Sequence, residues 1–241
     1  MVESKQKILF EKTEFGDIFR GMTHMKKSIR IMLGLAVSVM MLFAFAGCGD
    51  SGSKEAAPPT PEEEATASLD ATLSALKSAD MEALKELGGE DVLETAEQSF
   101  GSEEDATTVM KALFGHFDYK LGTPEVVDDT HINIPATVTN ADMNTAVGTW
   151  FSNLMEYAIS NPDIAGDSDA LHAKTIEELS AAVDETAAAE DGMTSKEVVF
   201  PMVLEDGKWD ISEDVDDSVF DAILGGFIGA IDELNEQTGD Q

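Results

Sequence analysis

Apolar residues first recur at helical spacing at Leu69, Leu73 and Leu76, which predicts a helix with one stripe turned to a core. Asp80 can cap a second helix with an apolar face of Met81, Leu84 and Leu87, ended by Gly88-Gly89. A third helix, from about residue 103, presents Val109, Met110, Leu113 and Phe117. The period then shortens to two. Phe117, Tyr119 and Leu121 alternate with His116, Asp118 and Lys120, and after Gly122-Thr123-Pro124 a second alternation runs through Ile132, Ile134, Ala136 and Val138. These read as strands with one buried face.

Asn140-Ala141-Asp142 can start another helix, whose broad apolar face is Met143, Val147, Trp150, Phe151, Leu154, Met155 and Ala158. Pro162 marks its end, and a further helix over about 168–189 uses Leu171, Ile176, Leu179 and Val183. Segments 196–204 and 208–211 flank Glu205-Asp206-Gly207, an Asp-Gly hairpin signal. One final helix is predicted from Val219, Phe220, Ile223, Leu224, Phe227, Ile228 and Ile231. Gly225, Gly226 and Gly229 fall inside it, each costing about 1 kcal/mol against alanine in a helix interior. Close backbone packing, within the domain or against a partner, would offset that cost.

Front helices, a strand pair, inserted helices and a closing hairpin imply an α+β fold with an antiparallel sheet covered on one face. On three strings the chain resembles a family of uncharacterised bacterial lipoproteins with a nuclear-transport-factor-2-like domain. These are Ala136-Thr137-Val138-Thr139-Asn140-Ala141-Asp142-Met143, Val203-Leu204-Glu205-Asp206-Gly207-Lys208-Trp209-Asp210-Ile211 and Asp221-Ala222-Ile223-Leu224-Gly225-Gly226. The likeness covers about residues 65–232. It implies a curved sheet and helices that form a cone with an open pocket; the predicted helical insertion over 142–189 departs from the plainest form of that fold and could cover the mouth, and a C-terminal helix follows. Members of that superfamily include binding modules, scaffolds and a few enzymes, so the motifs speak to fold and hardly to activity.

The amino end adds a location. Met25-Lys26-Lys27-Ser28-Ile29-Arg30 is a short basic stretch, followed by an uncharged apolar run of 16 residues, 31–46, and then Gly47-Cys48. That is the layout of a secretory signal, and the run is shorter than the roughly 20 residues a spanning helix needs. Phe45-Ala46-Gly47-Cys48 resembles the lipobox of bacterial lipoproteins, with Phe45 in place of the usual Leu. The resemblance implies cleavage before Cys48 and a diacylglycerol thioether on it, whose two acyl chains anchor stably where one would be marginal. The expected divisions are an upstream start-site artefact at 1–24, a signal peptide at 25–47, a Gly-, Ser-, Ala- and Pro-rich tether at 48–64 and one α+β domain at 65–236.

Charge narrows the partners. The formal net charge is −33, and residues 1–47 hold seven Lys or Arg against four Asp or Glu, so the remainder carries −36. Such a surface is repelled by nucleic acid and by anionic headgroups, which leaves the lipid on Cys48 as the membrane contact. The lone cysteine excludes an intramolecular disulfide. Neither Asp163, Asp167 and Asp169 nor Glu213, Asp214, Asp216 and Asp217 has the spacing and glycine of a calcium loop.

Candidate chemistry is sparse. There is no Gly-x-Ser-x-Gly elbow and no His-Glu-x-x-His pattern, and His24, His116, His131 and His172 lack ligand spacing. No cofactor, metal or catalytic residue is therefore nominated. Tyr119, Trp150, Tyr157 and Trp209 are the candidate pocket-lining side chains, with plain core packing as the competing assignment. The expected function is a non-catalytic module at the outer face of a cell membrane, binding a small apolar ligand or a protein. The alternative is an isomerase- or hydratase-type enzyme using one pocket carboxylate. A transporter's solute-binding component ranks last, since the chain lacks the strand and helix alternation of two lobes.

Overall fold

The computed structural model of the chain describes residues 58–80, 82–83, 101–161 and 167–239. Expectations resting on the leader, Cys48, Met81, Leu84, Leu87, Gly88-Gly89 and Pro162 lie outside the described residues. Helix α1 (Pro61–Ser78) opens on a capping box. The Thr60 hydroxyl accepts from the Glu63 N–H at 3.3 Å, and the Glu63 carboxylate accepts from the Thr60 N–H at 2.9 Å. Pro61 occupies the first turn, where a missing N–H costs nothing, so the helix begins inside the stretch read as tether. Its Leu69, Leu73 and Leu76 stripe is buried. Ser102 caps α2 (Glu103–Phe114), its hydroxyl accepting from the Asp105 N–H at 3.1 Å.

Five strands form one antiparallel sheet: β1 (Asp118–Leu121), β2 (Glu125–Asp128), β3 (His131–Ala141), β4 (Met193–Glu205) and β5 (Lys208–Ile211). The order is β1-β3-β4-β5, and β2 pairs with the start of β3 along the same edge that β1 uses further on. All four residues of β2 are exposed, so no alternation in the sequence marks it as a strand. Asp206 (φ 51°) and Gly207 (φ 79°) are both left-handed, the two-residue turn that matches the twist of the β4–β5 hairpin.

Two prolines sit inside strands. The Pro135 carbonyl accepts from the Gly122 N–H and the Pro201 carbonyl from the Ser212 N–H, both at 2.7 Å. In an antiparallel strand the absent proline N–H faces the same side as that carbonyl. On that side the neighbouring strand has just ended, at Leu121 and at Ile211, so no ladder bond is lost.

Asp142, the last residue of the predicted start, caps α3 (Met143–Ser160), and Asp167 caps α4 (Ser168–Ala188). Helix α1 packs on β1 and β5, α4 on β3 and α2, and α3 on α4. The result is an α+β fold in which a curled, half-barrel antiparallel sheet packs against helices. Ile132, Ile134, Ala136 and Val138 of β3, with Phe200 and Met202 of β4, are buried in the resulting core. Among the described residues no helix is long and apolar enough to cross a membrane.

Asn140 belongs to β3 and is fully buried. Its amide Nδ2 donates to the carbonyls of Leu113 at 2.8 Å and Ile223 at 2.9 Å, and its Oδ1 accepts from the Ala141 N–H at 2.8 Å. Those two carbonyls lie in the last turns of α2 and of α5 (Asp217–Ile223), where helix geometry leaves them without intrahelical partners. The single final helix predicted from the sequence is instead two, α5 and α6 (Phe227–Gly239), broken at Gly225 (φ 62°) and Gly226 (φ 90°). Left-handed backbone ends α5, and the Gly225 carbonyl accepts from the Met143 N–H at 3.0 Å. Helix α5 lies on β3 and β4, and α6 on α3.

Candidate functional site

A depression of about 610 Å³ opens between the sheet and the start of α5. Register places Leu121 of β1, Ala136 of β3 and Val198 of β4 in one cross-strand row. These three residues line the depression, with Val219 of α5 on the helix side. Ala136 is buried between the half-buried Leu121 and Val198, and its small side chain leaves room where a larger one would fill the floor. The adjacent row, Lys120, Thr137 and Glu197, also borders the depression; it is exposed, and its side chains alternate to the sheet face opposite Leu121, Ala136 and Val198. Among the described residues neither Lys120 nor Glu197 is in an ion pair.

Asp216 and Ser218 complete the helix side of the rim. Asp216 caps α5, accepting from the Ser218 N–H at 2.8 Å. The Ser218 hydroxyl and backbone N–H hold the Asp216 carboxyl below the usual range, so it stays ionised. A smaller depression of about 250 Å³ lies between α5 and α6, lined in part by Asp217, Asp221 and Asp232. Asp221 is engaged there, its Oδ1 accepting from the Gly229 N–H at 3.1 Å. Among the described residues no group of three or more His, Cys, Asp or Glu could hold a metal ion.

None of the four candidate aromatics lines either depression. Trp150 is fully buried and its Nε1–H donates to the Thr175 carbonyl at 3.0 Å, which fixes α3 to α4. Trp209 is in the core on β5. Tyr119 is half-buried, and its hydroxyl donates to the Asp70 carboxylate at 2.8 Å, tying β1 to α1. Burial first, and then the Asp70 carboxylate, push the Tyr119 phenol up to about 12, so it remains protonated. Tyr157 lies under the Lys174 ammonium, 5.1 Å from its ring centre. Large aromatics fill the core here, and the depression is walled by small and medium aliphatics.

The histidines of the described residues stand apart, each beside an aspartate. His116 Nε2 is 2.9 Å from Asp184 Oδ1, His131 Nδ1 is 2.9 Å from Asp128 Oδ1, and His172 Nε2 is 3.5 Å from Asp105 Oδ2. The first and third join the two ends of α2 to α4.

Asp210 on β5 is a group the sequence did not single out. Its Oδ1 is buried without a hydrogen-bond partner, and burial, reinforced by Glu205, pushes the carboxyl up to about 6. The unfolded chain releases this proton near pH 3.9. Between about pH 4 and 6 the folded chain therefore holds more protons, and stability falls as pH rises through that window. Asp210→Asn is expected to be more stable than the native chain by about 1 kcal/mol at pH 7, discounted for the solvent that still reaches the side chain. At pH 4 the two should match. Urea unfolding at both pH values checks this, and equal stabilities at pH 7 would contradict it.

Compared with protein-family models, curated proteins and solved structures, the chain finds no match.

Proposed function

We propose that the chain is a lipid-anchored, extracytoplasmic binding module that takes a small, largely apolar ligand between its curled sheet and α5, without catalysing a reaction. The observation that carries this is the depression itself, with the row Leu121, Ala136 and Val198 set against Val219. Its volume falls within the roughly 300–1,000 Å³ of small-molecule sites. The resemblance to nuclear-transport-factor-2-like lipoproteins supports the same picture, a cone whose mouth admits a ligand. A proton-transferring isomerase or hydratase would need a carboxyl of raised pKa in the lining. Asp216 on the rim is held down, and the raised Asp210 is not among the lining residues.

The anchor rests on the basic stretch, the apolar run and Cys48. A body of such negative charge is repelled by anionic headgroups, so two acyl chains on the thiol supply the attachment. In cells fed a labelled fatty acid, the native chain becomes labelled and sediments with membranes, whereas Cys48→Ser does neither. Retention of Cys48→Ser in the membrane fraction would refute the anchor.

For the site, the neutral fluorophore N-phenyl-1-naphthylamine should brighten with the full chain, and Val198→Trp should weaken its binding by about ten-fold or more by filling the depression. Circular dichroism and melting would establish that the variant is folded. Undiminished binding by folded Val198→Trp would refute the site.

A further inference from the structure

We infer that the edge of β4 beside the depression receives an extended peptide segment of a partner protein as an added strand, one of whose apolar side chains enters the depression. This rests on the depression being a ligand site and names the class of ligand. The Pro201 carbonyl accepts from the Ser212 N–H on the β5 side of β4. By alternation the N–H and C=O groups of Val199, Glu197 and Ser195 point to that side as well, away from β3. β5 pairs with β4 only over 202–205, and after Ser212 the chain turns off towards α5. Among the described residues nothing bonds to the backbone groups of Val199, Glu197 and Ser195 on that side. All three residues are exposed, Val199 at 48%. Over this stretch the edge has no proline and, its register with β3 being unbroken, no bulge, two of the devices by which sheet edges avoid pairing.

A strand laid there lies about 4.8 Å from β4, antiparallel to it and in line with β5, and main-chain hydrogen bonds supply its affinity. Its two faces meet different chemistry. The residue opposite Val198 points to the concave face, where it extends the row Leu121, Ala136 and Val198 on the side that Val219 walls. An aliphatic side chain at that position fills the depression. On the other face, a cationic residue opposite Glu197 pairs with a carboxylate that is in no ion pair among the described residues. An apolar residue opposite Val199 covers its exposed side chain. Read from its amino end, the recognised segment is therefore apolar, apolar, cationic. A second copy of this chain fits less well. Two β4 edges paired antiparallel set Lys196 opposite its own equivalent, or Glu197 opposite its own, and like charges directly opposite repel.

The test is calorimetric titration of the full chain with the peptide acetyl-Thr-Val-Leu-Lys-Thr-Thr-amide, whose Val, Leu and Lys stand opposite Val199, Val198 and Glu197. In this register the N–H of the peptide's Lys points at β4 and that of its Leu points away. N-methylation of the Lys should weaken binding by about ten-fold or more, and N-methylation of the Leu by less than about three-fold. Val199→Pro removes an N–H from the open edge and no bond to β3, as Pro201 already does, and should cost about ten-fold in a chain that circular dichroism shows to be folded. Glu197→Gln should cost about three-fold. If the two methylated peptides bind alike, or folded Val199→Pro binds as the native chain does, strand addition is overturned; unchanged binding by Glu197→Gln overturns the cationic position. If sedimentation shows the chain dimerising through this edge, with Val199→Pro monomeric, the occupant is a second copy and the inference is again overturned. If the peptide fails to bind while N-phenyl-1-naphthylamine binds and Val198→Trp blocks it, the inference falls and the depression stands as a ligand site. If folded protein binds neither, both readings fail together.

Discussion

Gly225→Ala is expected to lose about 3 kcal/mol or more of unfolding free energy, among the largest effects of any single methyl added to this chain. Two independent costs combine. The residue stands at φ 62°, where an L side chain costs about 1–2 kcal/mol. A Cβ built there would also overlap the carbonyl oxygen of Ala141, which belongs to the backbone and cannot rotate away. The neighbouring Gly225 carbonyl is meanwhile held by the Met143 N–H at 3.0 Å, so the turn cannot move off without breaking the bond that seats α3. Gly148→Ala gives the contrasting sign. It lies exposed in α3 with nothing within 4 Å of an added Cβ, and should gain about 0.5–1 kcal/mol from reduced backbone freedom. Chemical denaturation of the pair would read both signs, and a Gly225→Ala protein as stable as the native one would show the turn to be free to relax.

That glycine pair illustrates where the sequence was legible and where it was not. The alternation of Ile132, Ile134, Ala136 and Val138 gave β3 its buried face, and Asp206-Gly207 its partner hairpin, because each signal is local and repeats at the period of the element. The apolar stripe on both sides of Gly225-Gly226 is equally periodic, so it reads as one helix. Only the close approach of Ala141, a residue some eighty positions away, reveals that the glycines are a turn. β2 escaped notice because Val126 and Val127 are both exposed and no face is buried.

The candidate site was illegible for a related reason. Leu121, Ala136, Val198 and Val219 come from four elements and each is an ordinary aliphatic, so their meeting depends on register and not on any motif. The conspicuous aromatics drew attention instead, and Trp150 and Trp209 turned out to be where their large apolar area is best used, in the core. Asn140 carried no signal of its role either. The string Asn140-Ala141-Asp142 does start a helix, capped by Asp142, but nothing local shows that the Asn140 amide is enclosed between the ends of α2 and α5.

Asn140→Leu, close in volume, should therefore cost about 3–5 kcal/mol, because it leaves the Leu113 and Ile223 carbonyls buried without a donor, at about 1–3 kcal/mol each. Asn140→Asp separates loss of hydrogen bonds from loss of packing, since it keeps the shape. Its ionised carboxylate has no hydrogen to give and would face two carbonyl oxygens, so near neutral pH it should be at least as destabilised as the leucine variant. Burial and those oxygens raise the carboxyl's folded pKa above its unfolded value near 3.9. The sign of the pH dependence follows from that. Stability relative to the native chain is greatest near and below about pH 4, where the acid is neutral in both states and can donate one hydrogen bond. It is lost as pH rises through the folded pKa. Urea unfolding of the native, Asn140→Leu and Asn140→Asp chains between about pH 4 and 8 distinguishes the cases: the leucine deficit should be flat with pH, and the aspartate deficit should shrink in acid. An aspartate variant equally destabilised across that range would mean that the helix ends do not depend on the donor hydrogens of Asn140, and that the contact is one of shape alone.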